Sequence, residues 1–161
     1  MKYWFDTEFI DDTKTIDLIS IGIIDEEGKT YYAISNEFDI NKACPWVKRN
    51  VLPFLTEASK WKSRETIKKE IVGFIDHRKP EFWVYNGAYD WVVFCQLFGH
   101  IRDLPRNYPW YANDIKQLAH SLGTASLPEH STQKHNALED AKWTKLAWEF
   151  LTNYKKYSTS T

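Results

Sequence analysis

The sequence predicts an α/β fold, a mixed β-sheet flanked by α-helices within a single domain, and three observations support this prediction. The chain has 161 residues, which suits one domain with a sizeable core. Its first forty residues have the composition and turn chemistry of β-strands. The remainder changes to helical periodicity, interrupted by one short apolar strand. We therefore expect an antiparallel sheet edge and later strands that are entered through helices.

Three strands are predicted at the start of the chain. Residues 3–9 are aromatic and β-prone, and residues 16–25 alternate in polarity. Residues 29–36 follow the sequence Glu26-Glu27-Gly28, which is typical of a hairpin turn. We expect the three strands to form an antiparallel meander.

Helical patterns begin near residue 63. Ser63 is a suitable cap for a helix in which apolar residues recur at positions 67, 71, 74 and 75. Residues 81–86 then predict a short buried strand that ends at Gly87. Three further helices are predicted from apolar periodicity, and they cover residues 88–98, 113–122 and 137–154.

Composition and charge exclude several classes of protein. The 21 basic and 22 acidic residues give a formal charge of −1, which argues against binding nucleic acid through bulk positive charge. A hydrophobic fraction of 43% excludes general disorder, and the longest apolar runs are too short to span a membrane. An acid at position 6 argues against a signal peptide. Two cysteines suit neither a disulfide framework nor a zinc site, so we expect a cytoplasmic location.

Aromatic residues are abundant, with 9 Phe, 9 Tyr and 8 Trp. They form either an aromatic-rich core or rings that stack on a ligand. Phe9 lies next to two acids and is our first candidate for stacking on a base, and Trp61 is the second. Most of the other rings are predicted to be core, and these include Trp83, Trp91, Trp143 and Trp148.

Two acids lie within the first predicted strand. Side chains at positions i and i+2 of a strand project from the same face, so Asp6 and Glu8 are neighbours. They repel each other unless a cation lies between them or one of them takes up a proton. Two ordinary acids on a solvent-facing edge are the alternative. The apolar residues on both sides favour burial, and a buried carboxylate needs a metal or hydrogen-bond partners.

A second acidic feature follows the strand at residues 81–86. Asp90 is placed in the first turn of a helix, just beyond the carboxyl end of that strand, where open α/β sheets bind ligands. Asn86 lies at the strand exit and could orient a ligand or a carboxylate. The alternative is an acid that interacts with the helix dipole, together with a turn asparagine.

A histidine and a further acid lie near the start of the last helix. His135 precedes Asp140 by five residues, and the preceding loop, residues 127–134, could move as a lid. His130 in the same loop lacks this spacing, and we interpret it as a surface residue. Four converging carboxylates, Asp6, Glu8, Asp90 and Asp140, can hold two Mg²⁺ or Mn²⁺ ions for a phosphodiester displacement. A neutral imidazole close to them can act as a general base.

A local basic segment covers residues 60–64, with Lys68 and Lys69 on the following helix. Because Glu65 and Glu70 are interleaved with these cations, a solvated helix face is one interpretation. A track for backbone phosphates beside Trp61 is the other.

These motifs together resemble the DEDDh group of 3′-5′ exonucleases, the DnaQ-like branch of the ribonuclease H-like fold. The resemblance is carried by Asp6-Thr7-Glu8, by the segment from Asn86 to Asp90, and by His135 with Asp140. Within this group the chain is most similar to small bacterial exoribonucleases that act on polyadenylate. The likeness covers residues 1 to about 154. Tyr85 departs from the wider pattern, in which many members have His before the Asn, and this departure concerns substrate preference.

The resemblance implies a role for each of these residues. Asp6, Glu8, Asp90 and Asp140 would bind the metals, and His135 would be the general base. It further implies that the 3′-terminal nucleotide of a single-stranded RNA lies beside Glu8 and Phe9, with Leu18 and Trp61 near its base. Residues 1–157 would form the exonuclease domain, with a flexible tail at 158–161, and relatives in this group are commonly homodimers. A DNA exonuclease of the proofreading type and a catalytically silent binding module are the alternatives.

Overall fold

The architecture is known from a computed structural model, which describes residues 1–124, 126–130 and 135–158, the last five as backbone only. Five strands and five α-helices follow one another along these residues, joined in places by short 3₁₀ turns. Their bounds are β1 Lys2–Asp11, β2 Ile16–Asp25, β3 Thr30–Ile34, α1 Pro45–Asn50, α2 Arg64–Phe74, β4 Glu81–Val84, α3 Ala88–Phe98, β5 Asn113–Asp114, α4 Ile115–Ser121 and α5 Ala137–Ser158.

The five strands form one mixed sheet in the order β3-β2-β1-β4-β5. The pairs β1–β2 and β2–β3 are antiparallel, which confirms the predicted meander. The pairs β1–β4 and β4–β5 are parallel; the chain enters β4 from α2, and α3 lies between β4 and β5. The predicted α/β fold with a mixed sheet is therefore confirmed, and β1 lies at its centre.

Several element bounds differ from those predicted. The strand β4 ends at Val84, two residues before the predicted end, and α5 continues four residues beyond position 154. Ser158 is thus helical rather than part of a tail, and residues 159–161 lie outside the described residues. The helix predicted over 113–122 begins at Ile115 instead, because Asp114 caps it and the two preceding backbone positions pair with β4.

The two faces of β1 pack against different helices because successive side chains alternate. Tyr3 and Phe5 join the core cluster that contains Ile67 of α2 and Phe94 of α3. Trp4 points to the opposite face, where it packs with residues of α5. Asp6 and Glu8 have the same parity as Trp4, and the strand therefore presents both acids to the α5 side of the sheet.

The start of α5 lies very close to the sheet. Gly22 of β2 pairs directly with Asp6, and a Cβ atom built on Gly22 would overlap the backbone of Ala137 and Leu138. Only a glycine permits this approach. The first turn of α5 is therefore held beside Asp6.

Among the described residues, no helix is both long and apolar enough to cross a bilayer.

Candidate active site

The acids lie in a pocket of about 390 Å³ at the end of β4. The strand β4 pairs with Lys2–Trp4 of β1 and ends at Val84, so β1 from Asp6 onward extends beyond it. A crevice therefore opens along the edge of β1, as expected at the carboxyl end of a strand in an α/β sheet. The pocket is lined by Asp6, Thr7, Glu8, Phe9, Tyr85, Asn86, Asp90, His130, His135, Asp140, Trp143 and Thr144.

Three elements bring the four predicted carboxylates together. The strand β1 supplies Asp6 and Glu8, the first turn of α3 supplies Asp90, and the first turn of α5 supplies Asp140. Glu8 and Asp90 are each only 8% exposed, so these acids are not ordinary surface charges. The interpretation of Asp6 and Glu8 as two acids on a solvent-facing edge is therefore wrong.

Asp90 is fixed by the residue between the two acids of β1. Its Oδ1 accepts hydrogen bonds from the backbone N–H of Thr7 at 2.8 Å and from the Thr7 hydroxyl at 2.7 Å. Thr7 is itself buried, and this double contact joins β1 to the first turn of α3. Both bonds use the Oδ1 atom of Asp90, so neither of them engages its second oxygen.

His135 has a left-handed backbone conformation, with φ of 68°. Its ring meets Trp46 of α1 edge to face at a centroid distance of 4.6 Å. One ligand atom each of Glu8, His135 and Asp140 lies within 4.8 Å of the others, a spacing that suits a metal ion. The structure thus places the predicted histidine among the predicted acids.

The pKa values of the acids reflect their crowding. Burial raises the pKa of Glu8 to about 8, with further contributions from Asp140 and Asp90. Burial raises the pKa of Asp6 well above its ordinary value, and the charges of Asp90, Glu8 and Asp140 raise it further. The pKa values of Asp90 and Asp140 are also raised, again mainly by burial. Such a cluster is stabilised by protons or by cations, and oxygen-rich donors suit hard divalent ions.

The structure corrects the interpretation of His130 as a surface residue. Its Nε2 lies 2.7 Å from Oδ1 of Asp140, and its side chain is 19% exposed. The loop folds back onto α5, so that His130 reaches Asp140 from ten residues earlier in the chain. Residues 131–134, part of the predicted lid, lie outside the described residues.

Two of the four predicted substrate-binding residues do not line the pocket. Leu18 is fully buried in the core cluster on which Phe9 packs, and therefore has no surface for a base. Trp61 packs on Phe38 at 5.4 Å, and its indole N–H donates to the carbonyl of Thr56. Neither residue lines the acidic pocket, and their placement near the base stays a prediction.

Phe9 and Asn86 do line the pocket. Phe9 stacks on Tyr89 at a centroid distance of 5.8 Å, and Tyr89 is 51% exposed. Asn86 has a left-handed backbone, with φ of 54°, in the turn between β4 and α3. Aromatic and amide groups therefore border the acids on the side of α3.

The cations of the basic segment lie beside carboxylates. Lys62 pairs with Glu70 at 2.7 Å, and Arg64 pairs with Asp17 at 2.8 Å. The remaining cations of the segment also have carboxylate partners within 4 Å, namely Lys60, Lys68 and Lys69. Five cations thus lie beside four carboxylates, since Lys68 and Lys69 share Glu65, and a solvated helix face describes this segment better than a phosphate track.

Sequence reasoning missed several residues of the site, among them Trp46, Tyr89, His130 and Trp143 as a pocket residue. Of these residues, Tyr89 could have been found from the sequence, because it directly precedes Asp90 at the predicted start of a helix. Trp46 lies on the short helix α1 and His130 in a loop, and no periodicity predicts that these two segments meet the site.

The mixed sheet and its flanking helices have counterparts among solved structures. Solved structures of exonuclease I are similar in fold: the protein of Methylocaldum szegediense has a TM-score of 0.61 at 16% identity. The E. coli protein, in complex with a dT13 oligonucleotide, has a TM-score of 0.59 at 15% identity. Both matches cover 95% of this chain, which spans about two fifths of those proteins (40% and 42%).

A more specific relationship comes from sequence. Residues 1–152 match the model of the 3′-5′ exoribonuclease Rv2179c-like domain. The 3′-5′ exoribonuclease Rv2179c of Mycobacterium tuberculosis H37Rv is 42% identical, and the match covers 88% of each chain. The corresponding protein of strain CDC 1551, 3′-5′ exoribonuclease MT2234.1, matches equally well. The chain belongs to the family of 3′-5′ exoribonuclease Rv2179c-like domains.

Proposed function

We propose that this chain is a metal-dependent 3′-5′ exoribonuclease that releases nucleoside 5′-monophosphates from single-stranded RNA. The observation that carries the proposal is the convergence of Asp6, Glu8, Asp90, Asp140 and His135 in one pocket. Membership of the exoribonuclease family supports the same reaction. These acids have raised pKa values, so the chain places them together at a cost that a bound cation would offset.

The donor set fits Mg²⁺ or Mn²⁺. Asp6, Glu8, Asp90 and Asp140 offer carboxylate oxygens, which hard divalent cations prefer. When bound, two such ions would stabilise the attacking and leaving oxygens of the phosphodiester displacement. The positive charge of two bound dications would offset the negative charge of the four ionised acids, so the site with both ions bound would be electrically neutral.

His135 is the general base in this proposal. A neutral imidazole nitrogen would accept the proton of the attacking water. Contact with Trp46 at 4.6 Å restricts the position of the ring. The backbone N–H of His135 donates to Asp140 at 2.9 Å, which fixes the base relative to the acids.

The 3′-terminal nucleotide lies against Phe9 and Tyr89 in this proposal. Their stacked rings border the acids, and unpaired bases bind by stacking on such planes. Asn86 offers an amide to the sugar, the base or the phosphate. Stacking accepts every base. The preference for adenylate, suggested by the likeness to small bacterial exoribonucleases that act on polyadenylate, is therefore a separate part of the proposal.

Degradation of a 5′-labelled RNA tests the proposal. We expect a ladder that shortens from the 3′ end with Mn²⁺ or Mg²⁺, and no hydrolysis by Asp6→Asn. The matched control is Glu57→Gln, which removes an exposed acid outside the pocket and should retain full activity. Hydrolysis by Asp6→Asn at the wild-type rate would refute the metal assignment, and an inactive wild type that binds no Mn²⁺ would favour a silent binding module.

A panel of homopolymers tests the substrate. With A, U, C and G oligomers of equal length, we expect the RNA forms to be degraded faster than the DNA forms. Polyadenylate should be degraded fastest if the likeness to the polyadenylate exoribonucleases extends to specificity. Faster hydrolysis of the DNA forms would assign the chain to the exodeoxyribonucleases instead. Homodimer formation and a cytoplasmic location stay predictions, and light scattering after gel filtration tests the first of them.

A further inference from the structure

The loop that carries His130 is anchored on α5 by three contacts. The indole N–H of Trp143 donates to the carbonyl of Pro128 at 3.1 Å. The ring of His130 lies over Trp143, with a centroid distance of 4.6 Å and an interplanar angle of 32°. The Nε2 atom of His130 lies 2.7 Å from Asp140 Oδ1. Stacking and hydrogen bonding together define the position of this imidazole.

Both oxygens of Asp140 have donors on this loop. His130 lies at Oδ1, and the backbone N–H of His135 donates to Oδ2 at 2.9 Å. Two donors on different oxygens fix the rotation of the carboxylate plane. Each carboxylate oxygen has two lone pairs, so every hydrogen bond leaves one lone pair for another partner. The side chain of Asp140 is 14% exposed, so bulk water competes little with these contacts.

We propose that His130 is a positioning residue of the cation site, which orients the carboxylate of Asp140 toward Asp6 and Glu8. The inference rests on the proposed function, because that function makes Asp140 a metal ligand. Groups that hydrogen-bond to a ligand set its orientation, and their loss typically lowers metal affinity by about 10–100-fold. The pocket thus contains two imidazoles with different roles: His135 faces Trp46 and acts on the substrate, whereas His130 lies on Trp143 and acts through Asp140.

Calorimetric titration of Mn²⁺ into the full-length chain tests the role of His130. We expect His130→Ala to bind Mn²⁺ about 10–100-fold more weakly than the wild type. His130→Gln should recover most of the affinity, because its side-chain N–H₂ can occupy the place of Nε2. The control is His120→Ala, which removes an exposed imidazole of α4 outside the pocket and should leave the affinity unchanged. Thermal unfolding of each variant shows that it is folded.

The dependence of kcat on Mn²⁺ concentration is a second measurement. A purely structural role of His130 would not produce a loss of kcat that excess Mn²⁺ restores. At low Mn²⁺ the kcat of His130→Ala should fall, and excess Mn²⁺ should restore it, while the KM for RNA stays near the wild-type value. A defect that excess Mn²⁺ does not restore would contradict the inference.

The outcomes separate this inference from the proposed function. If the wild type binds Mn²⁺ and His130→Ala binds it equally well, the positioning role is overturned and the proposed function stands. If His130→Gln is as weak as His130→Ala although both are folded, hydrogen bonding to Asp140 is not the cause, and the inference is again overturned. A wild type that binds no divalent cation overturns both.

Discussion

At the scale of single residues, the site is defined by carboxylates that the fold holds buried and close together, which disfavours their charged forms. Burial and mutual repulsion raise the pKa values of Asp6 and Glu8, while two hydrogen bonds from Thr7 oppose the effect of burial at Asp90. A cation bound at this site would recover the energy of this arrangement. Stability, proton uptake and metal affinity are therefore linked at this site.

Stability without metal should decrease as the pH rises. Between the ordinary pKa of 4.5 and about 8, folded Glu8 holds a proton that the unfolded chain has released, so the free energy of unfolding falls across this window. We expect the Tm in chelator to be lower at pH 8.5 than at pH 5.5. Glu8→Gln should flatten this slope, whereas Glu57→Gln should not. A wild-type Tm that rises across the window would contradict the assigned pKa shift.

Replacing His135, the proposed general base, should lower turnover without weakening the binding of Mn²⁺ or RNA. We expect His135→Ala to retain Mn²⁺ and RNA binding but to lose turnover by about 10²–10⁴-fold, because water then lacks a proton acceptor. Single-turnover hydrolysis beside equilibrium RNA binding measures the two effects. Wild-type turnover in this variant would assign the base to another group.

Trp46 should affect turnover through His135. Its ring packs edge to face on the imidazole of His135 and is 47% exposed. Trp46→Ala therefore removes a packing contact of His135 without creating a cavity in the core. We expect kcat to fall by up to about 10²-fold with a smaller change in KM, and Trp46→Phe to restore most of it. Phe54→Ala, which removes another exposed ring, is the control. Equal kcat values for both alanine variants would exclude this role.

At the scale of elements, sequence patterns predicted those parts of the fold that rest on local chemistry. The bounds of β2 and α3 were predicted to the residue, because alternation defines the strand and glycines flank the helix. The strand β5 has only two residues and leaves no periodicity. His130 was misassigned for a different reason, since its contact with Asp140 depends on the path of a loop.

The close approach of α5 to the sheet gives a prediction for Gly22. Gly22→Ala would force the first turn of α5 away from β2, because the added methyl overlaps helix backbone rather than a movable side chain. We expect a loss of about 1–3 kcal/mol in the free energy of unfolding and a larger loss of activity, since Asp140 moves with the helix. Urea denaturation and RNA hydrolysis measure the two losses.

Gly73 provides the matched control for this change. It lies in α2, and a Cβ atom built on it meets no atom within 4 Å. Gly73→Ala should therefore stabilise the protein by about 0.5–1 kcal/mol through helix propensity and leave activity unchanged. If Gly22→Ala behaved in the same way, the close approach would not matter for the site.

At the scale of the whole molecule, the near-neutral charge is consistent with a nucleic-acid substrate. Taking the four site carboxylates out of the formal charge of −1 leaves +3, and bound dications would offset those acids. Carboxylates beside the cations of the basic segment reduce its contribution to this attraction. We infer that phosphate affinity is concentrated at the pocket, which suits an enzyme that acts on one strand end.

The sequence left open whether the aromatic residues form the core or stack on a ligand, and the structure contains rings in both kinds of position. Tyr3, Trp4, Phe5, Phe82 and Phe94 are among the largest fully buried side chains, and they account for the aromatic core. Phe9 borders the acids, as the sequence suggested. Leu18 and Trp61 could not be placed from the sequence, because burial in a sheet and packing on Phe38 are set by tertiary contacts.

The most direct test of the account is cation add-back to chelator-treated protein with a 5′-labelled single-stranded RNA. The account predicts no hydrolysis in chelator, and stepwise shortening from the 3′ end with release of nucleoside 5′-monophosphates once Mn²⁺ is restored. Hydrolysis that persists at the full rate without divalent cations, or products that arise by internal cleavage, would contradict it.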